Sequence, residues 1–326
     1  MNNNKLKFVA VLLVAMLVSA FAVGFAACEQ EEPSPSQPTV VDVVIFMGQS
    51  NMAGRGEAAD SVVCEEGHGY EFRAVQDPTR LYPVVEPFGE TENNDALSDL
   101  NSLTGDGKKS GGMVSAFCEG YYEKTNVPVV AIAASVGGTS VLKWMPGTSY
   151  FEESARRLNA CLQFIEESDD FETRNVFMVW CQGESDKSNW LKGNYDYFGN
   201  VKAVVNGLKD VGNGRGISKC FVVTPSEYAN DKLDATKQDL TNNLITNTLA
   251  DDDFVLASVK FRNVPLSMRD DPHFHQGIYN VTGYDAGQNA AHYVLTGEQA
   301  TCTEFVLGED VTLAEKFGLT PLYTSI

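Results

Sequence analysis

From Val40 onward, short apolar runs alternate with stretches in which apolar side chains recur every three or four residues. Val40–Met47, Val127–Ala134, Asn175–Cys181, Cys220–Thr224 and Phe254–Phe261 are runs rich in Val, Ile, Phe and Ala, the pattern of strands buried on both faces. Between and after them, residues 111–125, Glu152–Glu167, Tyr197–Leu208, Leu233–Leu249 and Tyr279–Leu295 have helical spacing. Buried strands separated by helices predict an α/β fold, a three-layer α/β/α sandwich around a five-stranded, mainly parallel sheet. In such sheets ligands bind outside the carboxyl ends of the strands. Residues 54–110 carry scattered Gly, Asp and Asn and read as a loop-rich elaboration.

The amino-terminal segment breaks this rhythm. Lys5 and Lys7 precede an apolar run from Phe8 to Ala27, which ends in Phe25-Ala26-Ala27-Cys28. A basic start, an apolar segment and small residues before a break are the marks of an export signal. The small-small-Cys ending resembles a bacterial lipoprotein signal, which implies lipidation at Cys28. Secretion, or retention of the run as a membrane anchor, are the alternatives. Glu29–Pro38, polar and proline-rich, reads as a flexible spacer. The expected organisation is therefore a signal at 1–28, a spacer at 29–38 and one large domain at 39–326. The expected location is extracytoplasmic, at the cell surface or secreted, with the membrane reached through the N-terminal lipid or anchor.

Composition narrows the partners. The chain has 326 residues, 44 acidic and 24 basic, for a net charge of −20. That excess argues against nucleic acid, which rewards Lys and Arg. Beyond Cys28 the cysteines are Cys64, Cys118, Cys161, Cys181, Cys220 and Cys302. Outside the cytoplasm they permit disulfides, but their wide spacing favours no pairing. Cys118, Cys161 and Cys181 sit in apolar periodic segments, where a buried free thiol is the simpler reading. No Cys/His cluster implies a metal, and no cofactor is expected.

The unusual polar residues fall at strand ends. Gly48-Gln49-Ser50-Asn51-Met52 follows the first strand, and Ser135-Val136-Gly137-Gly138-Thr139-Ser140 the second, with Trp144 just beyond. Trp180-Cys181-Gln182-Gly183-Glu184-Ser185-Asp186 closes the third, and Asp270-Asp271-Pro272-His273-Phe274-His275-Gln276 precedes the final helix. Ester hydrolysis by serine needs a hydroxyl, an imidazole to take its proton, a carboxylate to hold the imidazole, and donors for an oxyanion. Ser50 offers the hydroxyl, His273 the imidazole, and Asp270 the carboxylate three residues earlier. Donors are offered by the Ser50 N–H, a glycine N–H at Gly137 or Gly138, and the Gln182 side-chain amide. Taken singly, each has a plainer explanation: a strand-end serine caps a helix, and paired glycines make a turn. Their joint placement is the signal. His275 is the rival base, and Glu184 and Asp186 are read as fixing loop geometry. Gln49, Asn51 and Trp144 are candidate substrate contacts, Asn51 also as a brace for the turn and Trp144 also as core.

These blocks resemble the SGNH hydrolase superfamily, in its sialate O-acetylesterase-like branch with acetylxylan-esterase relatives. "GQSNM" is similar to that branch's nucleophile block, "GGTS…W" to its second and "QGESD" to its third. "DDPHFHQGIYNVTG" is similar to its last block, with Gln276, Tyr279, Asn280 and Gly283 in register. Cys181 stands where the branch commonly has His or Met. The resemblance covers about Val40 to Ala291 and implies a flavodoxin-like fold. It also implies Ser50 as nucleophile, His273 as base, Asp270 as orienting acid, and Gly137, Gly138 and Gln182 as oxyanion donors. The expected activity is removal of O-acetyl groups from carbohydrates through an acetyl-enzyme. A lipase or thioesterase with the same triad, and a glycan-binding lipoprotein with a vestigial site, are the competing readings.

Overall fold

The structure, a computed structural model, describes residues 37–92, 109–229, 232–262, 264, 268–270, 272–306 and 316–317, with backbone alone at 268–270. Cys28 and the expected signal lie outside the described residues. Contacts divide the chain into Met1–Pro38 and a compact unit, Thr39–Ile326.

The five apolar runs form strands β1 (Thr39–Gly48), β4 (Val129–Ser135), β5 (Phe171–Cys181), β6 (Lys219–Val223) and β9 (Phe254–Ser258). Two further strands, β2 (Gly69–Phe72) and β3 (Leu81–Pro83), extend one edge, so the sheet has seven strands in the order β3-β2-β4-β1-β5-β6-β9. All pairs are parallel except β2–β3. Two small hairpins stand apart, β7 (Tyr228–Ala229) with β8 (Lys232–Leu233), and β10 (Met268–Asp270) with β11 (His273–Phe274).

The sheet is buried on both faces because successive side chains of a strand point opposite ways. In β1, Val41, Val43, Ile45 and Met47 join the core on one face, and Val44 and Phe46 the core on the other. The first face is covered by helices α2 (Ser149–Glu166), α3 (Tyr197–Lys209) and α4 (Ala235–Ala250). The second is covered by α1 (Val114–Thr125) and α5 (Gln276–Thr296). Asp42, fully buried in β1, is a charged residue within this otherwise apolar stretch. It accepts hydrogen bonds from Arg174 Nε and Asn175 Nδ2 at 3.0 Å and from the Tyr121 hydroxyl at 2.5 Å, which compensates its loss of water.

Helices α1 and α5 pack at unusually close range. A Cβ on Gly283 would lie 2.1 Å from the Met113 carbonyl oxygen, and one on Gly287 2.2 Å from that of Phe117. The missing side chains let α5 approach α1, which fixes the start of α5, and with it the preceding β11, against the sheet.

Candidate active site

Three strand ends lie side by side. In the parallel register Gly48 pairs with Ser135 on one side and with Cys181 on the other. The segments after β1, β4 and β5 therefore leave the sheet at one edge. Gly48 has φ +145°, and a Cβ there would sit 2.0 Å from the Cys181 carbonyl oxygen, so only glycine fits the exit turn. The chain then makes a single helical turn, Ser50–Ala53, closed by Gly54 N–H donating to the Ser50 carbonyl at 3.0 Å.

This edge holds a cavity of about 370 Å³ lined by Gln49, Ser50, Arg55, Gly138, Glu184, Ser185, Lys237, Pro272 and His273. Ser50 is only 4% exposed, recessed rather than standing in the open, yet it is part of the cavity wall. Gly138, at φ +70°, faces open space. Gly137 lies against the Arg55 guanidinium, whose Nη2 would be 2.6 Å from a Cβ at that position.

His273 reaches the same wall from β11. Its neighbour Phe274 is buried, stacked on Phe261 with ring centroids 4.7 Å apart, which anchors the segment. His275 is turned elsewhere. Its side chain is half exposed, and Nδ1 lies 3.0 Å from Glu57 Oε1, away from the cavity lining. Glu57 also accepts the Gln276 N–H at 2.8 Å, satisfying a first-turn donor of α5. Burial raises the Glu57 carboxyl, but the Gln276 N–H and His275 outweigh it and hold it below the usual carboxylate range. Asp270 pairs with His273 in the β10–β11 ladder; its side chain lies outside the described part of the chain.

Several candidates are held in buried hydrogen-bond networks. Gln182 is fully buried, and its Nε2 donates to Gln49 Oε1 at 3.2 Å, to the Thr139 carbonyl at 2.8 Å and to Asp186. Its Oε1 accepts from the Tyr197 hydroxyl at 2.9 Å. With both N–H groups engaged and no share of the cavity wall, the amide ties three strand ends together. Asn51 is likewise fully buried. It donates to Glu184 Oε1 at 2.6 Å and accepts from the Tyr279 hydroxyl at 2.7 Å, so it braces the turn and lies outside the cavity lining. Trp144 lies wholly in the core, edge-on to Trp180, with Nε1 donating to Thr139 Oγ1 at 3.0 Å; it is not a cavity wall. Of the three expected substrate contacts only Gln49 lines the cavity.

Glu184 and Asp186 do fix loop geometry. Glu184 Oε1 also accepts the Ser226 N–H at 2.9 Å, and Asp186 accepts the Val141 N–H at 3.1 Å together with Tyr195 and Gln182. Burial pushes the Asp186 carboxyl up against the pull of those donors. In the last block, Gln276 Nε2 donates to the Gly112 carbonyl at 2.8 Å and to Asn280 Oδ1 at 2.9 Å, and Asn280 Nδ2 to the Asp60 carbonyl at 2.8 Å. Gln276, Tyr279 and Asn280 thus lock the His273 segment to the loop that follows Ser50.

Two cavity residues escaped the sequence reading. Arg55 sits in the loop just past the nucleophile turn, where an arginine has no telling pattern, though its closeness to Ser50 in sequence was a usable signal. Lys237 comes from the first turn of α4, capped by Asp234, and donates to the Tyr228 carbonyl. Only the tertiary fold brings it to the cavity.

The profile of one family, "Carbohydrate esterase, sialic acid-specific acetylesterase", matches residues 40–250. Among solved structures, a protein from Arabidopsis thaliana is similar over 79% of this chain and 98% of its own, with 18% identity and a TM-score of 0.53. NanS is similar over 81% of this chain and 100% of its own, with 14% identity and a TM-score of 0.56. At such identities these likenesses speak for the fold. No curated protein matches the sequence. The strand-end blocks, the parallel sheet and the profile over most of the domain agree. The chain belongs to the carbohydrate esterase family of sialic acid-specific acetylesterases, a branch of the SGNH hydrolases, and is a carboxylic ester hydrolase.

Proposed function

We propose that this carbohydrate esterase is an extracytoplasmic serine O-acetylesterase acting through an acetyl-enzyme. Ser50 Oγ attacks the acetyl carbonyl while His273 takes its proton, and Asp270 orients the imidazole. The oxyanion is met by the N–H groups of Ser50 and of Gly137 or Gly138, with Gln182 positioning the strand ends that carry them. His273 returns the proton to the departing sugar hydroxyl, leaving acetyl-Ser50. A water deprotonated by His273 then attacks the acetyl carbonyl, the bond to Ser50 Oγ breaks to release acetate, and His273 returns the proton to Oγ.

The observation that carries this reading is that Ser50 and His273 line one cavity while His275 is held outside it by Glu57. The polar lining favours a sugar over the long acyl chain that a lipase or thioesterase would seat. Arg55 and Lys237 on the wall favour an anionic sugar, of which an O-acetylated sialic acid is the chemistry named by the family, over neutral acetylated xylan. A tether through a lipid on Cys28 would keep the enzyme where such glycans occur. The test is acetate release from O-acetylated sialic acid and from acetylated xylan, measured for the wild type and Ser50→Ala. Release from the sialate that vanishes in the variant supports the assignment. Equal release by both proteins, or none by either from any acetylated sugar, overturns it.

A further inference from the structure

Two thiols that the proposed reaction does not use meet on the second face of the sheet. Cys118 is fully buried in α1, and Cys64 is half-buried in the loop leading to β2; both are free thiols. A Cβ placed on Gly69 would lie 2.9 Å from Cys118 Sγ and 3.0 Å from Cys64 Sγ, so both sulfurs flank the space that this glycine leaves empty.

Residues beside the two cysteines are already bonded to each other. The Glu65 N–H donates to Glu119 Oε1 at 2.6 Å, and His68 Nδ1 lies 3.0 Å from the same oxygen. The His68 ring stacks on Tyr122, centroids 3.7 Å apart. A disulfide needs its sulfurs about 2 Å apart with the flanking chains close and steady. Rotation of two side chains that flank the same gap meets that need with little backbone travel.

We propose that Cys64 and Cys118 form a disulfide that clasps the segment between the nucleophile turn and β2 onto helix α1. Cys64, the one with solvent access, attacks a disulfide oxidant, a small-molecule or protein disulfide, and releases one of its halves as a thiol. Cys118 then attacks the Cys64 sulfur of the mixed disulfide and releases the second half. In sum two S–H bonds are lost and one S–S bond is made, while the oxidant takes up two electrons and two protons. Burial pushes the Cys118 thiol up, and the neighbouring Cys64 pushes it further, which suits Cys118 to the second, resolving step and not the first. The bond closes a loop that contains β2 and β3, the short edge strands, and so restrains the part of the sheet with the least apolar anchorage. An oxidising compartment outside the cytoplasm would preserve it. The proposal does not depend on the roles of Ser50 and His273.

The full chain is reduced, freed of reductant and incubated with oxidised glutathione, then mapped by mass spectrometry without reduction. The expected result is an intact mass lower by two hydrogens, a Cys64–Cys118 cross-linked peptide, and an upward Tm shift of several degrees reversed by dithiothreitol. Cys64→Ser, at the half-buried position, should fold, lose the cross-link and lose the Tm shift, with esterase turnover retained. A stable glutathione adduct on Cys64 beside a free Cys118, a different pairing, or no mass loss overturns the proposal.

Discussion

Replacing Ser50 by alanine removes one oxygen from a recessed residue whose backbone, not its hydroxyl, closes the helical turn. Folding should therefore be intact, while kcat falls by at least roughly 10³-fold, the scale for loss of a triad member. Circular dichroism and turnover of p-nitrophenyl acetate check both halves. His273→Ala should resemble Ser50→Ala, and His275→Ala should be mild, because only His273 shares the cavity wall. The reverse order would make His275 the base. Gln182→Ala separates a strut from a donor. Its loss takes a donor from Gln49 Oε1, Thr139 O and Asp186, of which Gln49 keeps the Ser185 N–H and Asp186 the Val141 N–H and the Tyr195 hydroxyl, so unfolding free energy should drop by about 1–3 kcal/mol, with kcat falling alongside. An unchanged Tm with a lowered kcat would instead make the amide a direct oxyanion donor. The sequence marked Ser50, His273 and Gln182 because strand-end polar residues stand out against apolar runs. It did not reveal that Gln182, Asn51 and Trp144 face inward, since facing is settled by neighbours distant in the chain. Arg55 and Lys237 were silent for the same reason.

The strands carrying the site were legible because each is a continuous apolar run, which a strand buried on two faces requires. Strands β2 and β3 were not, since "GYEF" and "LYP" are three or four residues long, partly polar and set among loop residues. They gain strand geometry from pairing with β4 and with each other. Element boundaries also depend on single glycines. Gly48→Ala would drive a Cβ into the Cys181 carbonyl and strain a positive φ, so the variant should lose at least about 2 kcal/mol and most activity. Urea unfolding compared with wild type measures it; an unchanged midpoint would mean that the β1 exit turn is drawn wrongly.

Over the whole molecule, charge sets the response to acid. Glu57 joins the Ser50 loop to the start of α5, and its carboxyl is held below the usual 4.5. A depressed folded-state pKa contributes stability that is complete above the unfolded value and is lost as pH falls through the folded one. Glu57→Gln should thus be less stable than wild type at neutral pH, with the difference closing as pH drops below 4.5. Thermal melts across that range check it; a gap that widens in acid would contradict the sign. The same architecture converges on one chemical event, since three parallel strand ends and the β11 hairpin deliver their residues to a single cavity. Acid-quenching the enzyme during turnover of p-nitrophenyl acetate and mapping its peptides by mass spectrometry reads that event directly. The account predicts an acetyl group on the peptide containing Ser50, present in wild type and missing in Ser50→Ala. Acetylation at another residue that supports turnover, or rapid turnover by Ser50→Ala, would contradict it.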